Sequence, residues 1–282
     1  MITLEALLEA GHEVSLVVSR ADARRGRRGS AIASPVKEAA LRAGIPVAEE
    51  AGAVAGAGAE LGVVVAYGRL IPAPVLEHLP MVNLHFSLLP RWRGAAPVER
   101  AILAGDEITG VCLMAVCEGL DSGPVYRRIE TLIGDDETAD DLSHRLAVAG
   151  SAMLVDALAA GLGTPEPQRG PVTYAHKLTP EDRRLRWEDP AVEVSRVVRI
   201  GRAWTTFRGR RLLVVSGKPM TGLTGLGPGE VGEIGGALVA GTGAGGLALG
   251  HVQPEGKGPM VAVDWWRGIR PQPGERLGEA QR

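Results

Sequence analysis

The first half of the chain alternates short apolar runs with amphipathic segments, a pattern that predicts strands and helices in turn. The predicted helices lie at residues 4–10, 35–43, 72–79, 97–104 and 139–160, and the predicted strands at 12–18, 63–66, 81–86, 109–116 and 125–132. Alternation of this kind favours an α/β domain with a mostly parallel, Rossmann-like sheet, in which ligands bind near strand ends.

Helix starts are marked by residues that accept hydrogen bonds from free backbone N–H groups. Ser34 followed by Pro35 is typical of an N-cap and the first helical position. Thr138 and Asp141 have the spacing of a capping box, with Asp in place of the usual Glu. These signals strengthen the helices predicted behind them.

Composition changes after Gly161, where the stretch GTPEPQRGP is typical of a linker. A helix is predicted at residues 190–200, and short apolar runs between glycines follow at 211–215, 238–239, 247–249 and 261–263. Many short strands with Gly turns favour a small β-barrel of the OB type. The predicted organisation is therefore an α/β catalytic domain at 1–166, a linker at 167–185 and a C-terminal barrel at 186–282.

The candidate chemistry lies on the predicted strand at 81–86 and in a later turn. Asn83 and His85 are two residues apart, so their side chains point to one face of that strand. Asp121 lies in the Gly-flanked turn EGLDSGP. An amide, an imidazole and a carboxylate provide an oxyanion donor, a proton acceptor and a group that orients or charges it, which is a plausible set for acyl transfer. A buried polar pair on a core strand is the competing interpretation.

Charge is distributed unevenly along the chain. The formal net charge is −2, but residues 186–282 contain 13 Lys and Arg against 9 Asp and Glu. Residues 20–28 hold five arginines and one acid. Both basic regions suit a strongly anionic partner such as nucleic acid, although a solvated Arg-rich surface explains the charge equally well.

Other features narrow the class of protein. No apolar run is long enough for a membrane span, the N-terminus lacks a basic signal-peptide region, and a cytoplasmic protein is expected. Cys112 and Cys117 are five residues apart on one apolar run, which places them on opposite faces of a strand and disfavours a disulfide or a metal pair. The histidines show no zinc spacing, so no metal is expected.

Several longer segments carry a family resemblance. This chain resembles the formyltetrahydrofolate-dependent formyltransferases in the segments NLHFSLLPRWRGAAPVERAILAGD, EGLDSGP and VVVAYGRLIP. Their folate-site signature is similar to SLLPRWRG, a motif long enough to be specific. Four further segments resemble the branch of this family that acts on methionyl-tRNA: SPVKEAALRAGIPV, YAHKLTPEDRRLRW, WTTFRGRRL and VQPEGKGPM. The resemblance covers nearly all of the chain.

The resemblance implies that a formyl group moves from 10-formyltetrahydrofolate to the α-amino group of initiator methionyl-tRNA. No metal is needed for this reaction, and a monomer is expected. The resemblance implies catalytic roles for Asn83, His85 and Asp121. It also implies a folate site lined by Ser87, Leu88, Leu89 and Pro90.

The Arg-rich loop resembles the family's insertion that approaches the tRNA acceptor end, which implies tRNA-binding roles for Arg25, Arg27 and Arg28. Arg27 aligns with the arginine of the family's Gly-Arg pair. A disordered, solvated loop is the alternative interpretation of this segment.

Two other functions stay open at this point. One is a formyltransferase acting on a small amine, such as glycinamide ribonucleotide or an amino sugar nucleotide, which would share Asn83, His85 and Asp121. The other is a non-catalytic nucleic-acid-binding protein built on a decayed enzyme. A folate-binding measurement would distinguish the formyltransferase functions from the non-catalytic nucleic-acid-binding protein.

The family places a strand and a Gly-containing loop ahead of the helix with which this chain opens. We therefore expect that Met1 is not the native initiation point or that the gene is truncated, and that protein made from Met1 is poorly soluble or inactive. A Pro-rich loop of the family is also expected to be shortened at residues 200–203.

Overall fold

A computed structural model describes residues 1–24, 31–272 and 274–278 of the chain. The helices are α1 (Ile2–Glu9), α2 (Pro35–Arg42), α3 (Ala73–His78), α4 (Pro97–Ala104), α5 (Ala139–Ala160), α6 (Ala191–Arg199) and α7 (Ala262–Gly268). The strands are β1 (Val17–Val18), β2 (Ala23–Arg24), β3 (Ala31–Ile32), β4 (Val47–Ala48), β5 (Gly62–Val65), β6 (Met81–His85), β7 (Arg93–Gly94), β8 (Ile108–Ala115), β9 (Val125–Leu132), β10 (Tyr174–Ala175), β11 (Ala203–Phe207), β12 (Arg210–Met220), β13 (Val231–Ile234), β14 (Ala237–Gly241), β15 (Gly246–Pro254) and β16 (Met260–Val261).

The chain divides into two compact units. The first contains Met1–Pro97, Ile108–Leu132 and Ser143–His176, and the second contains Val98–Glu107, Ile133–Leu142 and the residues from Lys177 on. The predicted boundaries at residues 166 and 185 stay a prediction.

The first unit is built on a mixed sheet with the strand order β5-β6-β8-β9. β5 and β6 are parallel, whereas β6–β8 and β8–β9 are antiparallel. β1 and β4 form a separate parallel pair. The apolar face of the sheet packs around buried side chains such as Val82, Leu84, Leu113 and Leu154. The predicted Rossmann-like α/β class is confirmed in this mixed form.

Local capping follows the sequence closely. The Ser34 hydroxyl accepts a hydrogen bond from the Lys37 N–H at 3.2 Å, and α2 begins at Pro35. Before α5, the Asp141 N–H donates to the Thr138 hydroxyl oxygen and the Thr138 N–H donates back to the Asp141 carboxylate. Both predicted caps are confirmed.

The strand predicted at residues 12–18 is wrong in its length. Only Val17 and Val18 pair, and their partner is the short β4. Val17 donates its N–H to the carbonyl of Pro46. Because Pro46 has no N–H to return, the parallel ladder cannot extend beyond Val47 on that side.

The second unit is an antiparallel sheet with the order β11-β12-β15-β14-β13, to which β16 adds by pairing with β15. The predicted small C-terminal β domain is confirmed as an antiparallel sheet. α6 turns Val194 and Val198 into its core, as its helical spacing requires. Phe207, Trp265 and Trp266 form the aromatic group of this core, with ring centroids 5.3–5.8 Å apart.

One predicted strand of the second unit is partly wrong. Residues 261–263 were expected to be extended, but β16 ends at Val261 and α7 begins at Ala262. Ala262, Trp265 and Trp266 become buried at i, i+3 and i+4, so a helical face satisfies the apolar positions. An apolar run this short does not distinguish a strand from the start of a buried helix.

Candidate functional site

Strand β6 carries two of the candidate catalytic residues. Asn83 pairs in register with Val64 of β5 and Met114 of β8, and His85 is the last residue of the strand. His85 is only 5% exposed, while Asn83 is half-buried. Within the described residues the Asn83 carboxamide makes no hydrogen bond, so its N–H groups are available to a ligand on the face it shares with His85.

The backbone of the following loop fixes the tautomer of His85. Its Nε2 lies 2.7 Å from the carbonyl oxygen of Trp92. A carbonyl oxygen only accepts, so Nε2 carries the hydrogen and donates it. In the neutral ring the lone pair is therefore on Nδ1, and this nitrogen is left to accept a proton.

Asp121 faces that nitrogen. Its Oδ2 lies 3.6 Å from His85 Nδ1 and accepts a hydrogen bond from the Gly94 N–H at 2.8 Å. An imidazole that takes up a proton at Nδ1 would thus face a carboxylate already held in place by the backbone. Because the Trp92 carbonyl already fixes the tautomer, the Asp121 carboxylate is in position to stabilise the positive charge of a protonated His85 ring.

Close backbone approaches hold the loops around this pair. A Cβ on Gly94 would lie 2.8 Å from the Ala175 carbonyl oxygen, and one on Gly123 would lie 1.9 Å from that of Ala115. Gly94 also has a φ of +119°. Only glycine fits at both positions without a backbone shift.

A segment that sequence reasoning assigned to a linker also reaches the site. Gln168 donates from Nε2 to the carbonyl oxygens of Asp121 and Gly123, each at 2.8 Å. Its Oε1 accepts from Arg93 Nε and Nη2 at 3.0 and 2.7 Å. No pattern in GTPEPQRGP points to this contact, which becomes visible only in three dimensions.

The described residues contain no group of three or more His, Cys, Asp or Glu side chains that could hold a metal ion. Within the same residues, none of the helices has both the length and the apolar character to cross a membrane. Both cysteines are free. Cys112 is buried, which raises the pKa of its thiol, and Cys117 is exposed beyond the end of β8.

Comparison with known proteins covers both units. Residues 2–158 match the family described as formyl transferase, and residues 177–270 match the formyl transferase C-terminal domain. The chain belongs to the formyltransferase family.

A curated relative is similar along almost the whole chain. The methionyl-tRNA formyltransferase of Streptomyces coelicolor is 44% identical over 98% of this chain and 95% of its own length. The similarity therefore extends through both units.

Solved structures share the fold. The methionyl-tRNA formyltransferase from Clostridium thermocellum superposes with a TM-score of 0.52 at 18% identity, over 64% of this chain and 82% of that one. An N-formyltransferase from Helicobacter canadensis, solved with folinic acid and dTDP-3-aminofucose, gives a TM-score of 0.62 at 14% identity, over 88% and 94% of the two chains. At these identities the likeness concerns the fold alone.

The predicted folate-lining residues fall into two kinds in this formyltransferase. Ser87 is fully buried and donates its hydroxyl to the Arg91 carbonyl at 2.6 Å, and Leu89 is buried against Cys112 and Met114. Leu88 and Pro90 are partly exposed. The first two residues shape the loop, and the other two are accessible to a ligand.

The predicted tRNA-binding residues Arg25, Arg27 and Arg28 lie outside the described residues. In the second unit, a cavity of about 480 Å³ is lined by Arg184, Arg186 and Arg276 together with Trp204. The guanidinium of Arg211 also lies 4.6 Å from the centre of the Trp204 ring. Salt bridges with Glu181 and Glu230 offset part of the positive charge of the three cavity arginines.

Proposed function

We propose that this chain transfers the formyl group of 10-formyltetrahydrofolate to the α-amino group of initiator methionyl-tRNA. The observation that carries the proposal is the 44% identity to the Streptomyces coelicolor enzyme along nearly the full length of both chains. The pairing of His85 with Asp121 supports it, and so does an Asn83 carboxamide that shares a face of β6 with His85 and makes no hydrogen bond among the described residues. Formyl transfer needs a base, a charge partner and an oxyanion donor.

His85 is the proposed proton acceptor. The attacking amine must be neutral and must lose a proton as its bond to the formyl carbon forms, and an α-amino group has a pKa of roughly 7.7–8.0, so a modest base suffices. Nδ1 of His85 takes that proton while Nε2 remains bonded to the Trp92 carbonyl. The imidazolium then gives this proton to N10 of the folate as the bond between N10 and the formyl carbon breaks.

Asn83 and Asp121 are proposed to stabilise opposite charges. The Asn83 carboxamide donates to the formyl oxygen as negative charge develops there, a contribution of about 3–4 kcal/mol for donors of this kind. The Asp121 carboxylate, which lies 3.6 Å from His85 Nδ1, stabilises the positive charge that the imidazole acquires. The donor folate supplies only the activated formyl group.

The proposed folate site lies along Ser87, Leu88, Leu89 and Pro90. Since Ser87 and Leu89 are buried, we assign the direct apolar contacts with the folate to Leu88 and Pro90. The other two residues keep the loop in shape, because the Ser87 hydroxyl bonds the Arg91 carbonyl.

The proposed tRNA contacts are Arg25, Arg27 and Arg28 near the acceptor end and basic residues of the second unit. Arginine side chains bind phosphates and release counterions, so binding gains strength at low salt. We further propose that the enzyme acts as a monomer in the cytoplasm, where initiator tRNA is used.

A substrate competition tests this proposal. With 10-formyltetrahydrofolate as donor, methionyl-tRNA is expected to be formylated with a kcat/KM orders of magnitude above those of free methionine and an amino sugar nucleotide. The rate at subsaturating tRNA is expected to fall steeply with added salt, while the folate KM changes little.

The variant Arg25→Ala/Arg27→Ala/Arg28→Ala sharpens the test. It is expected to raise the KM for methionyl-tRNA and to leave folate binding unchanged. Equal efficiency on free methionine or on the sugar nucleotide would instead establish the small-amine function. Absence of both folate binding and formylation would leave the nucleic-acid-binding remnant.

A further inference from the structure

The hydrogen-bonding capacity of Gln168 is fully used at the candidate site. Its two amide hydrogens go to the carbonyl oxygens of Asp121 and Gly123, and its amide oxygen takes two hydrogens from Arg93. A carboxamide has two donors and one oxygen with two acceptor positions, so no capacity remains for another partner. An amide at this position joins the turn that carries Asp121 to the loop that carries Arg93.

The turn that carries Asp121 needs a hydrogen-bond donor from outside the turn to keep its backbone conformation. Asp121 has a φ of +45°, in the left-handed region that non-glycine residues occupy at a cost. The carbonyls of Asp121 and Gly123 both point to Gln168 rather than to a strand partner. Without the amide these partly buried oxygens would lose their protein donors, and the turn would relax away from its present geometry.

The carboxylate of Asp121 is held by β7, the strand that carries Arg93 and Gly94. Arg93 donates its backbone N–H to the Thr173 carbonyl at 2.9 Å, and β7 pairs with β10. The next residue, Gly94, donates to the Asp121 carboxylate. Gln168 and β10 belong to one return segment, residues 166–175, which therefore fixes both the backbone of Asp121 and the donor to its carboxylate.

We propose that Gln168 is a positioning residue for formyl transfer, acting on His85 through Asp121. This inference rests on the proposed function. The amide sets where the Asp121 carboxylate lies relative to His85 Nδ1, a separation of 3.6 Å that governs how well the protonated imidazole is stabilised. A displacement of about 1 Å at such a contact is enough to lower a rate by roughly 10²-fold.

The test compares Gln168→Ala and Gln168→Glu with the wild-type chain. Gln168→Ala is expected to lower kcat on methionyl-tRNA by about 10- to 100-fold, with the folate KM within about twofold of wild type. Gln168→Glu keeps the acceptor for Arg93 but places an oxygen against two carbonyls, so kcat is expected to fall at least as far. Gln253→Ala is the matched control, because that amide donates to the Lys257 carbonyl in the second unit.

The split between kcat and KM separates positioning from stability. If Asp121 moves away in Gln168→Ala, kcat per folate-binding molecule is expected to fall while the folate KM stays near wild type. Gln253→Ala is expected to change neither quantity. A purely structural loss would lower the amount of folded enzyme and leave kcat per folate-binding molecule at the wild-type value.

The outcomes distinguish this inference from the proposed function. If the wild-type chain formylates methionyl-tRNA and both Gln168 variants keep its kcat per folate-binding molecule, the inference is overturned and the function stands. If both variants lose cooperative unfolding, Gln168 is a stability residue and the inference is again overturned. A wild-type chain that does not formylate methionyl-tRNA overturns the proposed function itself.

Discussion

The loops around His85 and Asp121 in the first unit and the core of the second unit reach a defined structure by different physical means. Around His85 and Asp121, directional hydrogen bonds to backbone atoms determine the geometry. In the second unit, the aromatic group packs against apolar neighbours with little polar content. Damage to the first region should therefore appear mainly in turnover, and damage to the second mainly in stability.

The contrast has a clear energetic basis. Burial of apolar area is non-directional and contributes roughly 25 cal/mol per Å², so a packed core tolerates small shifts. A hydrogen bond weakens steeply with misalignment, and a buried group that loses its partner costs about 1–3 kcal/mol. Among the described residues, no buried side-chain N or O atom lacks a hydrogen-bond partner, so the polar loops are satisfied as built.

Removal of the proposed base, His85, is the strongest test of this contrast. His85→Ala should lower kcat by about 10²- to 10⁴-fold, because proton transfer to a positioned imidazole contributes that much. Folate binding and the thermal midpoint should change little. Single-turnover formylation measures the effect, and His251→Ala, an exposed histidine of the second unit, is the control. An unchanged rate in His85→Ala would remove this residue from the mechanism.

Truncation of the aromatic group tests the other side. Phe207 is 7% exposed and contacts the Trp265 and Trp266 rings edge-on. Phe207→Ala should lower the free energy of unfolding by about 3–5 kcal/mol through lost burial and a cavity. Denaturant titration measures this loss, and Val215→Ala, 45% exposed, is the control. The folate KM should not change; a shift there would show that the two regions are not separable in this way.

A smaller effect concerns the ion pair of Arg100 and Asp182 in the second unit, where Nη1 and Oδ1 are 2.8 Å apart. Burial by itself raises the pKa of Asp182, but hydrogen bonds from Arg100 and Thr179 outweigh it and lower the pKa from 3.8 to about 2. A lowered carboxyl pKa contributes stability above the unfolded value, and this stability is lost as the pH falls through the folded value.

Asp182→Asn should therefore cost about 1 kcal/mol at neutral pH, after allowance for solvent screening, and the difference from wild type should vanish as the pH approaches the folded pKa. Unfolding free energies measured across this range check the prediction, with the exposed Asp264→Asn as the control. A difference that is constant with pH would mean that the ion pair is not the source of the stability.

The accuracy of the sequence predictions depended on how local each feature is. The caps at Ser34 and Thr138 involve partners three residues away, and both were predictable. The strand predicted at residues 12–18 was too long because the reach of its partner strand is not visible in the run itself. The run at 261–263 was ambiguous because a buried helix face and a strand both explain a few apolar positions.

By itself the sequence determined the α/β and β organisation, the shared face of Asn83 and His85, and the family. Strand periodicity and long motifs are written in consecutive residues, so these features needed no coordinates. Only the tertiary structure decided that Trp92 fixes the His85 tautomer and that Gln168 holds the turn of Asp121. Hydrogen bonds of this kind depend on where distant loops meet to within a few tenths of an ångström, which no local pattern encodes.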